Sequence, residues 1–293
     1  MKLSIITINL NHAAGLQETL RSVHQQTSKE FEHILIDGDS TDGSVELIRS
    51  FADISPGYHT PRLNQRSSPI TYWISEPDKG IFNAMNKGLR MACGDYVHFL
   101  NSGDWLADEQ VVEKMLVALD PETDILVGEM ISVRPDGKAR YNKNKNYVGL
   151  STFYGGTIQH TSAYIRRSLF ETYGFYDESL KIVADWKWYL IAAGLNNARV
   201  QFADIYVSCF DTTGVSSTYL DLDKAERRQV LEDVIPCPIL VDYDRFYFYM
   251  VQIERMKRSK WLYALFWFSE RCLFKIEKWK SRYFGWKKHY SNL

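Results

Sequence analysis

The run SIITIN at residues 4–9 carries no charged residue and ends in a polar cluster, Asn9-Leu10-Asn11. A continuous run of this kind, rich in β-branched residues, predicts a strand that is buried on both faces of a sheet. Three further strands are predicted at residues 31–36, 70–75 and 96–100. Each of them also leads into a polar cluster, so one pattern recurs four times in the first hundred residues.

Helical periodicity separates these strands. Apolar residues recur at helical spacing in residues 16–23, 45–51 and 81–92, whereas three prolines make residues 53–69 a predicted loop. Alternating strands and helices predict a doubly wound α/β sheet, whose ligands bind outside the carboxyl ends of the strands. We therefore expect the polar clusters to meet at one edge of the sheet. They are residues 9–11, 37–43, 76–80 and 101–104.

The pattern changes beyond residue 120. A Pro-Asp-Gly turn at residues 135–137 predicts a hairpin that spans residues 124–141. Further strands are predicted at residues 157–165 and 199–210, and a helix at residues 185–193. Both halves of the chain then complete one core, with a mixed, mainly parallel sheet flanked by helices.

Composition argues against several kinds of site. The four cysteines form no CxxC pair and the histidines form no pair at metal-ligand spacing, which argues against a zinc or redox site. No run of about 18 apolar residues occurs, so no membrane-spanning helix is predicted. We expect no nucleic-acid binding, because the chain before the C-terminal tail is acidic and would repel phosphate.

The cluster DGDSTDG at residues 37–43 follows a predicted strand and precedes a predicted helix. Its carboxylates and hydroxyls can accept hydrogen bonds from a nucleobase or a ribose. They repel phosphate, so the cluster differs from a glycine-rich phosphate loop. The same residue types also favour helix caps and tight turns, and the local sequence leaves both interpretations open.

Asp104 closes the cluster that follows the fourth strand. A carboxylate at a strand end can ligate a hard divalent cation such as Mg²⁺ or Mn²⁺, with phosphate oxygens and water completing the coordination shell. A helix cap before Ala107 fits the local sequence equally well.

Asp185 stands at a predicted helix start, with Trp186 and Trp188 close by in the sequence. A carboxylate in aromatic surroundings can act as a general base toward an acceptor hydroxyl. A capping Asp with core tryptophans fits the same residues. His160 lies in Ile-Gln-His-Thr-Ser, and a lone histidine of this kind is more often structural than a ligand.

Five segments together resemble family 2 glycosyltransferases with the GT-A fold, the type found in bacterial cell-surface polysaccharide biosynthesis. The segments are SIITINLN (4–11), IDGDSTDGS (36–44), SEPDKGIFNAMNKG (75–88), GDYVHFLNSGD (94–104) and the run from GGTIQH to ADWKWYL (155–190). Their order and spacing are specific, and the resemblance covers roughly residues 1–210.

The resemblance implies an inverting enzyme that moves a sugar from a UDP- or GDP-linked donor to an acceptor hydroxyl. Asp185 would be the catalytic base, and Asp104 would bind Mg²⁺ or Mn²⁺. Asp37 or Asp39 would contact the nucleobase. The rest of the nucleotide-sugar site would be formed by Thr7, Asn9, Asp78, Lys79, Asn83, Asn86, Asn101, Gln159 and His160.

Two positions depart from the family pattern. Where many members have further acidic residues after the fourth strand, this chain has Asn101 and Gly103, and only Asp104 is acidic. Where many have Asp-Asp-Gly-Ser, it has Asp37-Gly38-Asp39-Ser40, so either carboxylate could face the nucleobase. The alternative is therefore a nucleotide-sugar-binding or scaffold protein with weakened catalysis.

Residues 216–293 are predicted to be a helical extension of a catalytic domain at residues 1–215. From Arg245 onward the extension has twelve Lys and Arg residues against three Glu, with aromatic residues between them. Basic helices with aromatic residues lie in membrane interfaces. This would suit a lipid-linked or oligosaccharide acceptor and a cytoplasmic enzyme bound peripherally to the inner face of the membrane. Packing on the core, or on a second copy in a homo-oligomer, is the alternative.

Overall fold

The computed structural model describes residues 2–57, 70–144, 147–212 and 218–284. The described strands are β1 Leu3–Asn9, β2 Phe31–Asp37, β3 Ile70–Ser75, β4 Tyr96–Phe99, β5 Trp105–Leu106, β6 Ile125–Val133, β7 Ala139–Asn142, β8 Ala163–Arg166 and β9 Val200–Asp211. They form one sheet in the order β3-β2-β1-β4-β8-β6-β9-β5, and β7 pairs with β6.

The sheet is mixed, as predicted. β1 runs parallel to β2 and β4, and β2 runs parallel to β3. β8 lies antiparallel between β4 and β6, whereas β9 runs parallel to β6. The predicted hairpin is confirmed, because β6 and β7 pair antiparallel on either side of the Pro-Asp-Gly turn.

The described helices before residue 235 are α1 Ala13–His24, α2 Ser44–Phe51, α3 Ile81–Met91, α4 Val111–Ala118, α5 Leu150–Gly155, α6 Ser168–Tyr173, α7 Ala184–Tyr189 and α8 Leu220–Val234. A 3₁₀ turn, His160–Ser162, precedes β8, and a π-helical segment, Leu190–Leu195, continues α7.

Helices cover both faces of β1. Leu3 and Ile5 are fully buried in a cluster with Val23 of α1 and apolar residues of α4. Ile6 points to the opposite face, where α3 packs so closely that a Cβ added to Gly88 would lie 2.5 Å from the Ile6 side chain. Because successive strand residues face opposite sides, β1 needs apolar residues at consecutive positions, and its sequence supplies them.

A cluster of aromatic rings fills the α3 face of the sheet beside β4. Phe170 of α6 stacks on Trp188 of α7, with ring centroids 4.4 Å apart. Phe99 of β4 packs against Tyr176 at 5.3 Å and against Phe170 at 6.3 Å. The cluster therefore fixes α7 on the sheet, close to the carboxyl end of β4.

The predicted strand at residues 157–165 is only partly correct. Residues 160–162 form the 3₁₀ turn, and the strand itself begins at Ala163. Apolar and β-branched residues on both sides of the turn caused the error, because they conceal a break in the strand pattern. The predicted helix at residues 185–193 is confirmed by α7 and its π-helical continuation.

The chain divides into two compact units, Met1–Val234 and Ile235–Leu293. The sequence predicted a boundary after residue 215, whereas the structure places α8 in the first unit. Glu226 of α8 provides the reason, since its carboxylate accepts the backbone N–H groups of Lys181, Ile182 and Val183.

The second unit consists of two described helices, α9 Cys237–Lys257 and α10 Lys260–Phe284, which contact each other. Ser259 lies between them and caps α10, because its Oγ accepts the Leu262 N–H at 3.4 Å. None of the described helices combines the length and apolar character required to cross a membrane.

Candidate active site

The register of the sheet brings the polar clusters to one edge, as expected. Asn9 at the end of β1 pairs with Asp37 at the end of β2, and Asp37 pairs with Ser75 at the end of β3. Beyond β4, the Ser102 N–H donates to the Ile8 carbonyl oxygen at 3.0 Å. The cluster that contains Asp104 therefore follows the same edge.

Asp37 is a buried hub of hydrogen bonds at this edge. Its Oδ1 accepts from Asn9 Nδ2 and Ser40 Oγ, each at 2.7 Å. Its Oδ2 accepts from the Ser40 N–H at 2.9 Å and from Ser75 Oγ at 2.7 Å. Because Asp37 is fully buried, the expected contact with a nucleobase does not fit its position. Asp39, exposed and with a φ of 66°, is the accessible carboxylate of the pair.

Thr7 and Asn9 support the edge from inside the protein. Thr7 Oγ1 donates to the Leu100 carbonyl oxygen at 2.8 Å and lies 2.9 Å from His33 Nε2, so it ties β1 to its neighbours. Asn9 is 4% exposed, and its Nδ2 is bonded to Asp37. Both residues lie at the expected place, but they organise the strand ends from within.

We expect Asp37→Asn to destabilise the first unit by roughly 2 kcal/mol or more, because an amide N–H₂ would face a hydrogen-bond donor in place of an acceptor oxygen. Urea unfolding measures this loss. Asp39→Asn is the matched control on the same loop, and its exposed side chain predicts a change within about 0.5 kcal/mol. Equal losses for the two variants would contradict the hub.

Asp78 and Lys79 lie beside this loop, and their part in a donor pocket stays a prediction. Asp78 packs against Gly38 so closely that a Cβ on Gly38 would lie 2.6 Å from Asp78 Oδ2. The other oxygen of Asp78 accepts the Gly80 N–H at 2.8 Å. Lys79 is exposed. Asp39, Asp78 and Lys79 are therefore the polar groups that this side of the edge offers to a ligand.

Asn83 and Asn86 of α3 hold the chain that leads to α7. Their Nδ2 atoms donate to Glu178 at 2.7 and 2.8 Å, and these bonds lower the pKa of Glu178. Asn86 also clasps the backbone of Tyr176, donating to its carbonyl oxygen at 2.9 Å and accepting its N–H at 3.1 Å. Asn86 is 1% exposed. It therefore fixes this loop and has almost no exposed surface with which to contact a nucleotide sugar.

Asp104 is buried in a loop that α1 fixes. Thr19 Oγ1 donates to the Asp104 carbonyl oxygen at 2.7 Å and lies 3.1 Å from the Gly103 N–H. Gly103 has a φ of 98°, in the left-handed region that favours glycine. Asp104 Oδ1 accepts the Asp211 N–H at 3.0 Å. Burial raises the pKa of Asp104 to about 7, although this N–H and the charge of His160 oppose the shift.

The groups around Asp104 fit a hard divalent cation. Asn101 Oδ1 is buried without a hydrogen-bond partner among the described atoms, and the negative charge of Asp211 reaches Asp104. Carboxylate and amide oxygens are ligands that Mg²⁺ and Mn²⁺ accept. Within residues 2–57, 70–144, 147–212 and 218–284 there is no group of three or more acidic, His or Cys side chains that could hold a metal. Such an ion would therefore need further oxygens from a ligand or water.

Asp185, the second residue of α7, is joined to the Asp104 loop by a chain of polar side chains. Asp185 Oδ2 lies 2.9 Å from His160 Nδ1, and Asp185 Oδ1 accepts the Trp186 N–H at 2.8 Å. His160 Nε2 lies 3.4 Å from Asn101 Nδ2. We call Asn101, His160 and Asp185 the Asn-His-Asp chain. It connects the predicted base with the loop that carries the predicted metal ligand.

The electrostatics of His160 reflect this position. Burial lowers its pKa, but the hydrogen bond and charge of Asp185, together with the charge of Asp104, raise it above the ordinary histidine value. Gln159 is half-buried next to His160, and its carbonyl oxygen accepts the Ser162 N–H at 3.2 Å to form the 3₁₀ turn. That turn places the imidazole between the two carboxylates.

Two tyrosine hydroxyls lie in the electrostatic field of Asp185. Tyr176 and Tyr189 are buried, and their hydroxyls have no hydrogen-bond partner among the described atoms. Burial raises both pKa values well above 10, and the charge of Asp185 adds to the shift. Neutral hydroxyl groups of this kind can stabilise a nearby carboxylate.

Several residues that shape this site were not predicted from the sequence. Asp211 ends β9 as Asp104 follows β4, so the same strand-end signal could have found it. Glu178 accepts from α3, and Glu226 of α8 accepts from residues 181–183. Because these partners are distant in the sequence, no local motif identifies either glutamate. The structure brings Asp104, Asn101, His160 and Asp185 together. The arrangement offers a buried acidic site and, across the Asn-His-Asp chain, a carboxylate able to accept a proton.

Comparison with known sequences identifies the class. Residues 4–179 match the family model described as Glycosyl transferase family 2. An uncharacterized glycosyltransferase of Mycobacterium tuberculosis is 31% identical over 223 residues, which cover 73% of this chain and 76% of that protein. A PGL/p-HBAD biosynthesis glycosyltransferase of Mycobacterium bovis is 26% identical over 233 residues, covering 76% of this chain and 82% of that protein.

Solved structures show the same fold. TarS of S. aureus in complex with UDP superposes with a TM-score of 0.57 at 19% identity, covering 80% of this chain and 70% of that chain. The mannosyltransferase PcManGT from Pyrobaculum calidifontis, in complex with GDP-Man and Mn²⁺, gives a TM-score of 0.51 at 18% identity, with coverages of 71% and 56%.

The fold is therefore the GT-A fold of glycosyltransferases, with a C-terminal helical region. The chain belongs to glycosyl transferase family 2, since the family model matches more than half of its residues.

Proposed function

We propose that this glycosyltransferase moves a sugar from a nucleoside diphosphate to an acceptor hydroxyl, with inversion at the anomeric carbon. The observation that carries the proposal is the Asn-His-Asp chain. It connects Asp185, a carboxylate able to act as base, to the loop of buried Asp104 through contacts of 2.9 and 3.4 Å.

In the proposed reaction the Asp185 carboxylate takes the proton of the acceptor hydroxyl. The hydroxyl oxygen forms a bond to the anomeric carbon while the bond from that carbon to the diphosphate oxygen breaks, and the nucleoside diphosphate leaves. Attack from the side opposite the leaving group inverts the configuration. His160 orients the Asp185 carboxylate through the contact to its Oδ2.

We propose Mg²⁺ or Mn²⁺ as the cofactor, held by Asp104 with Asn101 and Asp211 close by. Two observations support this: the raised pKa of Asp104 shows a buried carboxylate that a cation would stabilise in its charged form, and PcManGT is in complex with Mn²⁺. When bound, the ion would neutralise negative charge on the leaving diphosphate.

The donor is proposed to be a UDP- or GDP-linked sugar whose nucleoside lies beside Asp39, Asp78 and Lys79. TarS in complex with UDP and PcManGT in complex with GDP-Man support both classes. We propose a lipid-linked or oligosaccharide acceptor in the assembly of a capsule, exopolysaccharide or O-antigen. The PGL/p-HBAD biosynthesis relative gives support for a role in glycoconjugate synthesis.

A panel of nucleotide sugars tests the donor class. Binding raises the unfolding temperature of the folded state by mass action, so the cognate donor should give the largest rise, and Mn²⁺ should increase it. Calorimetry with UDP and GDP, with and without Mn²⁺, then gives the affinities. Donor hydrolysis or transfer supports the enzyme, whereas binding without turnover of any donor supports the binding-protein alternative.

We also propose that the second unit docks on the anionic inner face of the cytoplasmic membrane. Four exposed apolar residues of α10 lie on one stripe of the helix: Trp261, Leu265, Phe268 and Trp279. A neighbouring stripe is basic and contains Lys260, Arg271, Lys275 and Lys278. An apolar stripe flanked by positive charge is the pattern of a helix that lies in a membrane interface.

Reversing charge on the basic stripe is expected to release the protein from anionic vesicles. Each basic residue near such a surface contributes about 1 kcal/mol, so losing three of them alone should lower vesicle affinity about 100-fold. The triple variant Arg271→Glu, Lys275→Glu and Lys278→Glu also adds repulsion from the anionic surface, so we expect a loss larger than this. Co-sedimentation with vesicles that contain anionic lipid measures the change.

The matched control places the same charge change on the first unit, at exposed Lys2, Lys29 and Lys138. We expect this control to bind vesicles almost as well as the unchanged protein. A similar loss in both variants would indicate a general charge effect. Full vesicle binding by a chain that ends before the second unit would contradict the docking proposal.

A further inference from the structure

Glu226 of α8 is a buried carboxylate whose partners are backbone N–H groups beside the active site. It is 8% exposed. Its Oε1 accepts the Lys181 N–H at 2.8 Å, and its Oε2 accepts the N–H groups of Ile182 and Val183 at 3.0 and 3.2 Å. Asp185 follows two residues after the last of these.

These bonds hold the backbone at the start of α7. Hydrogen bonds to a charged acceptor are stronger than neutral ones, and a buried carboxylate is stable only when its oxygens are paired. The carboxylate and the three N–H groups therefore need each other. Because Val183 is the residue before α7, this anchor fixes the position of the first turn, which carries Asp185.

The next residue of α8 holds the other side of Asp185. The Arg227 guanidinium lies over the Trp186 ring at 4.8 Å from its centroid, and Arg227 Nη1 donates to the Gly156 carbonyl oxygen at 2.9 Å. The Trp186 indole N–H lies 3.1 Å from the same oxygen. Adjacent residues of α8 thus contact the backbone before Asp185 and the side chain after it.

We propose that Glu226 is a positioning residue for the catalytic base. Its carboxylate holds residues 181–183 so that Asp185 keeps its contact with His160 and the orientation it needs to accept the proton of the acceptor hydroxyl. The inference rests on the proposed function, in which Asp185 accepts the proton of the acceptor hydroxyl. Arg227 supports the same turn through Trp186. A misplacement of the reacting groups by about 1 Å can lower an enzymatic rate by about 100-fold.

Glu226→Gln tests the proposal, because the amide offers one acceptor oxygen and turns an N–H₂ group toward backbone donors. We expect kcat to fall by about 10- to 100-fold. The Kd for UDP or GDP, measured by calorimetry on the full chain, should change less than about threefold, since the residues proposed to face the nucleoside lie before residue 104. Glu226→Asp keeps both acceptor oxygens on a shorter stem and should recover part of kcat.

Val230→Ala is the matched control for stability. Val230 is 1% exposed on the same helix, so its truncation loosens α8 without changing an acceptor of the 181–183 backbone. We expect a lower unfolding temperature and an unchanged kcat at temperatures where the variant is folded. A kcat loss for Val230→Ala equal to that for Glu226→Gln would overturn the positioning role.

A double variant that combines Glu226→Gln with Asp185→Asn distinguishes a positioning role of Glu226 from a general loss of structure. If Glu226 acts through Asp185, Glu226→Gln should have little further effect on the residual rate of the Asp185→Asn protein. An equal fall in both backgrounds, or an undiminished kcat in folded Glu226→Gln, would overturn the inference alone. Full activity of Asp185→Asn would instead remove the proposed base, and the inference with it.

If Glu226→Gln does not fold, Glu226→Asp and Arg227→Lys replace it, each with an expected partial loss of kcat.

Discussion

Asp185→Asn is expected to leave only a small residual rate of sugar transfer while the protein still binds its donor. A positioned general base contributes about 10²- to 10⁴-fold to a rate, and an amide in its place cannot take the proton of the acceptor hydroxyl. Donor binding should persist, since Asp39, Asp78 and Lys79 lie in the first half of the chain. Initial rates of transfer and the calorimetric Kd for UDP or GDP measure the two properties.

Asp177→Asn is the control for this variant. Asp177 also contacts α7, because its Oδ2 accepts from Lys187 Nζ at 2.6 Å, but among the described residues it has no hydrogen bond with the Asn-His-Asp chain. We expect Asp177→Asn to keep its kcat and to lose some stability. Full activity in Asp185→Asn would exclude Asp185 as the base, and loss of donor binding as well would indicate a structural role.

Asp104→Asn is expected to make the metal-free protein more stable near neutral pH and insensitive to Mn²⁺. The folded-state pKa of Asp104 is raised from 3.8 to about 7 by burial. Between these values the unfolded chain has lost the proton and the folded chain keeps it, so stability falls as pH rises from about 4 to about 7. For this group alone the loss is on the order of 4 kcal/mol.

An amide at this position does not titrate, so the variant should lack that fall between pH 4 and 7. Thermal unfolding at pH 5 and pH 7.5 measures it. Mn²⁺ with UDP or GDP should raise the unfolding temperature of the unchanged protein well above that of the variant. A variant that keeps the same pH dependence, or that Mn²⁺ and the nucleotide stabilise equally, would contradict the assignment of Asp104.

The sequence predicted the sheet edge because that information is local. Each strand of the first hundred residues is a mainly apolar run with a polar end, and parallel strands must place those ends together. The role of Asp37 could not be predicted in the same way. Its burial depends on Ser75, at the end of a strand 38 residues later, and the pattern of either strand alone does not reveal that hydrogen bond.

The base side of the site was harder to predict for a related reason. The sequence Ile-Gln-His-Thr-Ser does not indicate that a 3₁₀ turn interrupts the strand and brings His160 to Asp185. Glu226 has polar neighbours on α8, and a helix start or solvent-facing carboxylate would have been the ordinary interpretation. Its partners are backbone N–H groups 43 to 45 residues earlier. Because every residue type except proline has such a group, the side-chain pattern does not reveal these hydrogen bonds.

The support of Asp185 by α8 also has a consequence for how new specificities can arise in this chain. The groups proposed to face the nucleoside occur before residue 80, whereas the base, its histidine and its helical brace occur between residues 160 and 226. Changes to the nucleoside-facing residues can therefore leave the base in place. Any change that shifts α8 also moves Asp185, unless the contacts of Glu226 are kept.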